Sequence, residues 1–181
     1  MATEQSQFNV LMRFFHWLTA AMVLTMLGIG LAMVASLACY HRLLSIHRPL
    51  GILVLIVVAI RFVNRQFSTL PPFPPTMSPR ERSVASASEV LLYTLLFLLP
   101  LVGWGMLSAA RYPIVLYGSM HLPPILPHSV LLYALLRRTH TILAYLLFLA
   151  FLAHLGAVLF HTLVVRDGLF SRMAPWRASA R

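Results

Sequence analysis

Four long, almost uninterrupted apolar stretches constrain this chain more than any other feature. They cover about residues 14–40, 43–63, 90–110 and 139–165, and the charged residues lie mostly in the gaps between them. Crossing the hydrocarbon core of a bilayer takes roughly 20 helical residues. Only 10% of the residues are charged, whereas a soluble domain carries about a quarter. The pattern predicts an all-α protein, a transmembrane four-helix bundle.

The gaps predict how these helices are connected. Residues 65–83 are rich in proline and predict an extended strap, because proline breaks a helix. Residues 111–138 are apolar but contain four prolines, which predicts a loop on the membrane surface with a short interfacial helix near 130–136. We expect residues 1–181 to form a single integral-membrane domain. No cleaved signal peptide is expected, because the first apolar stretch is too long for the apolar region of a signal peptide and the extreme N-terminus carries no basic region.

The distribution of arginine predicts the orientation, since the chain has no lysine. The N-terminus, the strap and the C-terminal tail carry nine of the fourteen arginines, namely Arg13, Arg61, Arg65, Arg80, Arg82, Arg166, Arg172, Arg177 and Arg181. The opposite side carries five, namely Arg42, Arg48, Arg111, Arg137 and Arg138, and no acid. The positive-inside rule therefore predicts that both termini are cytoplasmic. Because the arginines flank membrane spans and form no continuous basic face, no nucleic-acid partner is expected.

Three histidines lie on one face of the fourth apolar stretch. His140 and His154 are 14 residues apart, roughly 21 Å along a helix axis, and His161 follows seven residues later. The predicted topology places a further histidine at the depth of each of the first two. His16 begins the first helix level with His154, and His47 begins the second helix level with His140.

Paired histidines at two depths indicate two bis-histidine haem sites stacked across the membrane. A low-spin haem iron takes one axial ligand from each face of the porphyrin, and facing side chains of a helix bundle supply such ligands. We predict that His16 and His154 bind one iron, and that His47 and His140 bind the other.

Other roles for intramembrane histidines are hydrogen bonding between helices, proton relay in a transporter, and zinc binding. Zinc is the poorest of these, because two histidines at each depth are too few for a closed tetrahedral site and no carboxylate lies near them. The single Cys39 excludes an intrachain disulfide and any multi-cysteine metal site.

Each of the remaining candidate site residues is consistent with more than one role. His161 fits no pair; contact with the haem edge, a hydrogen bond to a quinone and a plain interfacial role are all consistent with its position. Arg13 and Arg61 are candidate partners of haem propionates, and ordinary anchoring at the membrane interface explains them equally well. His41, His121 and His128 are expected to be loop or surface residues.

Several motifs resemble the bacterial cytochrome b561 family of four-helix, di-haem b-type membrane cytochromes. They are FHW in the first helix, HRPLGILVLIVVAIR in the second, LPLVGWGM in the third, the His140/His154 pair, and the tail RDGLFSRMAPW. The resemblance implies a multi-pass protein of the bacterial inner membrane that binds two haems b through the same four ligands. It also matches His161 to a family histidine near the inner haem.

The resemblance implies transmembrane electron transfer. Some family members are superoxide oxidases, which pass an electron from superoxide to ubiquinone, and this chain is similar to them. The expected function is transfer between a periplasmic donor, either a small anion such as superoxide or a redox protein, and the membrane quinone pool. The alternative is a haem-bearing anchor subunit of a larger dehydrogenase or hydrogenase-type complex. The proline-rich outer loop differs from that of the superoxide-oxidising type, so the donor stays open.

Overall fold

The computed structural model describes residues 7–117 and 120–174. Four long helices dominate it: α1 (Val10–Ala35), α2 (Tyr40–Gln66), α3 (Pro79–Ala109) and α4 (Val130–Phe160). The last continues into a π-helical turn, His161–Val165, and a short helix, α5 (Leu169–Met173), follows. All four long helices are long and apolar enough to cross a membrane. The predicted all-α, four-helix membrane fold is confirmed, and the orientation of the termini stays a prediction.

Local capping chemistry sets where these helices begin. The Asn9 side chain accepts a hydrogen bond from the backbone N–H of Met12 at the start of α1. At the start of α3, Ser78 and Glu81 form a reciprocal capping box, with Pro79 in the first turn. Such caps satisfy backbone N–H groups that have no partner within the helix.

The predicted boundaries were wrong in three places, each for a physical reason. The first helix ends at Ala35 rather than near 40, because the turn at 36–39 is as apolar as the helix around it. The third begins at Pro79 rather than near 90, since its capping box lies in the polar part of the strap. The fourth begins at Val130 rather than 139, so the expected short helix at 130–136 forms its first turns.

Within residues 7–117 and 120–174, β-strands occur only in the outer loop. Two short strands, β1 (Ile114–Tyr117) and β2 (Met120–Leu122), pair antiparallel. The buried Ile114 packs with Ile52 of α2 and Leu107 of α3. The Trp104 indole N–H donates to the Pro123 carbonyl at 3.0 Å. These contacts hold the loop against the ends of α2 and α3.

The larger of two clusters of buried side chains lies between the four long helices. It contains Met22 and Val23 of α1, Val54, Val57 and Val58 of α2, Leu95 and Leu96 of α3, and Leu147 of α4. Most other apolar side chains are exposed, for example Leu31 and Leu149. An apolar surface of this extent suits contact with lipid and would not suit contact with water.

The helices alternate in direction, so the bundle has two distinct ends. We call the end formed by the starts of α1 and α3 and the ends of α2 and α4 the inner end, and the opposite end the outer end. The N-terminal and C-terminal segments meet at the inner end, where the Phe8 backbone N–H donates to the Arg172 carbonyl at 3.1 Å. Arg172 also donates to the carbonyl of Pro72, which ties the strap to the same end.

Candidate functional site

Two pairs of imidazoles face each other inside the bundle. His16 of α1 and His154 of α4 form the inner pair, with ring centroids 6.5 Å apart and an interplanar angle of 55°. His47 of α2 and His140 of α4 form the outer pair, with centroids 6.2 Å apart and an angle of 73°. The structure brings together the same partners that the sequence pattern predicts.

These separations fit a bis-histidine iron site. A metal–nitrogen bond to imidazole is about 2 Å long, and that nitrogen lies roughly 1 Å from the ring centre, so two imidazoles on opposite faces of one iron have ring centres roughly 6 Å apart. Direct imidazole–imidazole hydrogen bonds would draw the rings of each pair closer together. The four histidines therefore fit two haems, one at each depth.

Helix α3 orients the outer pair although it contributes no histidine. The His140 Nδ1 atom lies 3.2 Å from the carbonyl oxygen of Leu99. A carbonyl only accepts, so Nδ1 carries the proton and Nε2 keeps a free lone pair, which is the arrangement that metal-binding histidines favour. Gly103 makes room for this ring, because a Cβ atom there would lie 3.3 Å from His140 Cε1.

His47, the other member of the outer pair, has a buried and unsatisfied ring nitrogen. Its Nδ1 atom has no hydrogen-bond partner within the described part of the chain. Buried polar atoms of this kind are uncommon and call for an explanation, since they have lost their hydration without replacement. The outer pair therefore contains an imidazole nitrogen that is available to a ligand.

The inner pair is held by a cation. The guanidinium of Arg61 donates to the Nδ1 atom of His16 at 3.1 Å. Because guanidinium only donates, this contact makes Nδ1 an acceptor and leaves the proton of the neutral ring on Nε2. The same guanidinium lies 5.2 Å from the ring centroid of Tyr93 on α3. Metal binding through Nε2 therefore requires Arg61 to release His16.

The other predicted residues occupy the inner end but do not join a pair. Arg13 is buried and donates to the Gln7 side chain at 3.2 Å and to the Ala174 carbonyl at 3.0 Å. Its guanidinium thus links the two terminal segments. Arg177 and Arg181, which contribute to the predicted charge asymmetry, lie outside the described residues.

The His161 imidazole donates a hydrogen bond to the Asp167 carboxylate across the π-helical turn. Its Nδ1 atom lies 2.7 Å from Asp167 Oδ2. Burial acts to raise the pKa of Asp167, but the hydrogen bonds from His161 and from the backbone N–H of Leu169 outweigh it and hold that pKa below its usual value. The carboxylate is therefore charged at neutral pH. Of the alternatives for His161, the structure favours a role at the inner interface, close to the strap residue Thr76.

Three further histidines are outside the pairs. His41 contacts Tyr40 edge-on, with ring centroids 5.8 Å apart, at the exposed start of α2. His128 Nδ1 donates to the carbonyl of Ala109 at 2.8 Å and fastens the outer loop to the end of α3. His121 lies on the exposed strand β2.

A group of residues on the α2–α3 side of the inner end was not predicted from the sequence. Arg65 and Glu89 form a bidentate ion pair, with bonds of 2.6 and 2.8 Å. The detectable signal was Glu89 itself, a carboxylate at the edge of an apolar stretch, where charged residues are rare and commonly functional. Leu99 gave no signal, since it acts through its backbone carbonyl.

Comparison with known proteins agrees with this geometry. The sequence model of the prokaryotic cytochrome b561 family matches residues 7–176. "Cytochrome b561 homolog 2" of Escherichia coli (strain K12) is 29% identical over 170 residues, which cover 92% of this chain and 90% of that protein. "Cytochrome b561 homolog 1" of the same strain is 25% identical over 175 residues, which cover 95% of this chain and 99% of that protein.

Proposed function

The chain belongs to the prokaryotic cytochrome b561 family and is a membrane electron-transfer protein, and from this premise we propose that it holds two haems b and transfers electrons between a periplasmic donor and the membrane quinone pool. The family implies b-type haem. The number of haems, the donor and the quinone partner are our proposal, as is placement in the bacterial inner membrane.

The observation that carries the proposal is the presence of two similar imidazole pairs at two depths. Their centroid separations, 6.5 and 6.2 Å, both suit one iron between two rings. On α4 the two members lie 14 residues apart, roughly 21 Å along the axis. One pair near each side of a bilayer is the arrangement that carries an electron across it.

The chain's own residues hold and orient the two cofactors. His47 and His140 would bind the outer haem, and the Leu99 carbonyl fixes the His140 tautomer for this task. His16 and His154 would bind the inner haem. A haem with two histidine ligands supplies one-electron exchange without an open coordination position.

Arg61 has to leave Nδ1 of His16 when that ring binds a metal through Nε2. A haem propionate is a suitable new partner, because guanidinium and carboxylate form strong, charge-assisted hydrogen bonds. We therefore assign to Arg61 its predicted role as the partner of a haem propionate. Arg13, whose guanidinium is engaged by Gln7 and Ala174, keeps the terminal segments together instead.

The outer end favours an anionic donor. It carries five arginines and no acidic residue, and Arg137 and Arg138 are exposed on α4 beside His140. A cationic surface raises the local concentration of anions and their rate of encounter. Superoxide fits this field and would lose one electron to become dioxygen; an acidic redox protein is the other class of donor.

One experiment tests the proposal in two steps. Purified protein is first analysed by a reduced-minus-oxidised visible spectrum with a pyridine haemochrome count, and we expect about two low-spin haems b per chain. The oxidised protein is then exposed to enzymatically generated superoxide, with and without superoxide dismutase. Reduction that the dismutase abolishes supports the anionic donor. A colourless protein from haem-replete cells would overturn the proposal.

A further inference from the structure

A cavity of about 270 Å³ lies between the inner halves of α2 and α3. Aromatic rings form its walls, with Phe62 5.6 Å from Tyr93 and 5.9 Å from Phe97 between centroids. A dry cavity of about 150 Å³ binds benzene. The cavity therefore has room for one substituted six-membered ring and not for a much larger group.

The rim of this cavity carries the ion pair of Arg65 and Glu89. Both oxygens of Glu89 accept from one guanidinium, and the two side chains are 41% and 27% exposed for Glu89 and Arg65 respectively. The pair is electrically neutral as a whole, so it offers hydrogen-bonding groups without net attraction for a phosphate. This favours a neutral, polar ring over a phospholipid head group.

The cavity opens toward the lipid. Val90 is 66% exposed, and Thr94, one turn further along α3, is exposed beside it. A ligand that enters sideways from the bilayer can leave an apolar tail on the exposed surface of α3. Sites of this type, apolar with a few polar groups at one edge, are typical of small-molecule binding.

Two contacts connect the cavity wall to the inner histidine pair. Tyr93 lies under the guanidinium of Arg61, which in turn donates to His16 Nδ1 at 3.1 Å. The cavity is therefore at the depth of the inner pair and adjacent to it. Short distances of this kind are what electron exchange between a ring and a nearby redox centre needs.

We propose that the cavity bounded by Phe62, Tyr93 and Phe97 binds the head group of an isoprenoid quinone, with the Arg65 guanidinium at the rim as donor to a quinone carbonyl oxygen and the Glu89 carboxylate as acceptor from a hydroxyl of the quinol form. The proposal rests on the proposed exchange with the quinone pool and gives that exchange a location. It assigns to Tyr93 and the ion pair a role in ligand binding, and none in holding haem.

The test is direct binding of decylubiquinone to purified, haem-loaded protein, together with photolabelling by an azidoquinone. We compare Thr94→Trp, which fills the cavity, with Thr141→Trp. Both threonines are exposed in long helices and bond back to a carbonyl one turn earlier, at 2.8 and 3.1 Å. Thr141, however, lies on the outer half of α4. The haem spectrum of each variant reports whether it folds.

We expect Thr94→Trp to weaken decylubiquinone binding at least tenfold and Thr141→Trp to change it less than twofold. The label should map to residues 90–97 within the tryptic peptide 83–111, and unlabelled decylubiquinone should compete it away. Tyr93→Phe, which removes only a hydroxyl, should weaken binding by a smaller factor.

Other outcomes overturn the proposal in distinguishable ways. Tight binding with the label elsewhere, or equal effects of the two tryptophans, would refute this location and leave quinone exchange standing. A wild-type protein that retains its haem but binds no quinone would refute the location and the proposed quinone partner together. Labelling that decylubiquinone does not compete would indicate nonspecific uptake from the detergent.

Discussion

The outer and inner histidine pairs have the same composition and nearly the same spacing, yet their surroundings differ. In the outer pair, His140 donates to a backbone carbonyl, that of Leu99. In the inner pair, His16 accepts from a cation, Arg61. One support is neutral and fixed in the backbone of α3. The other is a charged side chain that can move.

The contrast shows that two sites with the same histidine ligands can differ in local charge and in the rearrangement that metal binding requires. At the outer pair the tautomer already suits a metal on Nε2, so binding requires little rearrangement. At the inner pair the guanidinium must leave Nδ1 first, and it then remains as a half-buried positive charge near the site. A positive charge favours the reduced form of a neighbouring redox centre, so we expect the inner site to be the more sensitive to changes in local charge.

The largest expected effect is the loss of one haem at a time, which tests whether the two histidine pairs are separate sites. We expect His16→Ala and His154→Ala each to remove the inner haem, and His47→Ala and His140→Ala each to remove the outer one. Haem content should fall from about two to about one per chain, because each iron needs both of its axial ligands. Pyridine haemochrome counts and low-temperature EPR of the four purified variants measure this.

His41→Ala is the matched control, because His41 lies on α2 only six residues before His47 and contacts Tyr40 outside the bundle. It should keep the full haem content. If partners from different pairs behaved alike, for example His16→Ala and His47→Ala giving the same residual spectrum, the assignment of pairs would be wrong.

The histidine pairs were predictable because helix geometry alone aligns them. His140 and His154 share a face of α4, and antiparallel neighbours bring His47 and His16 to their depths. The ends of the helices were less predictable, since an apolar turn at 36–39 looks like the helices beside it. The paired strands at 114–117 and 120–122 were not predicted for the same reason: composition reports burial in lipid and gives little information on backbone direction.

The residues that orient the two histidine pairs were less predictable than the pairs themselves. Arg61 was a candidate because it lies 14 residues after His47, on the same face of the second helix. The carbonyl of Leu99 carries no side-chain signal, and its role depends on how α3 packs against α4. Glu89 and Arg65 are 24 residues apart, and only the packing of α2 on α3 brings them together.

An effect of intermediate size is expected on the midpoint potential of the inner haem. A unit charge roughly 7 Å from a redox centre, at an effective dielectric constant of about 20, is worth on the order of 2 kcal/mol. We therefore expect Arg61→Gln to lower the midpoint potential of the inner haem by roughly 50–100 mV. Spectroelectrochemical titration resolves the two potentials.

The outer potential should change much less, because Arg61 lies 14 residues beyond His47, roughly 21 Å along α2, and the Coulomb energy falls with distance. Arg80→Gln removes the same charge from an exposed position at the start of α3 and should leave both potentials nearly unchanged. An equal shift of both potentials by Arg61→Gln would show that this arginine does not distinguish the two sites.

The smallest expected effect tests whether α3 orients His140. Gly103→Ala would place a Cβ atom 3.3 Å from His140 Cε1, so the ring must move by a few tenths of an ångström. Gly30→Ala is the matched control, since a Cβ atom there meets nothing within 4 Å; both changes raise helix propensity by about 1 kcal/mol. We expect only Gly103→Ala to alter the EPR signal of the outer haem, because it tilts one axial ligand and strains the Leu99 hydrogen bond while the inner pair keeps its geometry. A change confined to the inner signal would mean that α3 does not orient His140, and the difference between a fixed and a movable support would then need another cause.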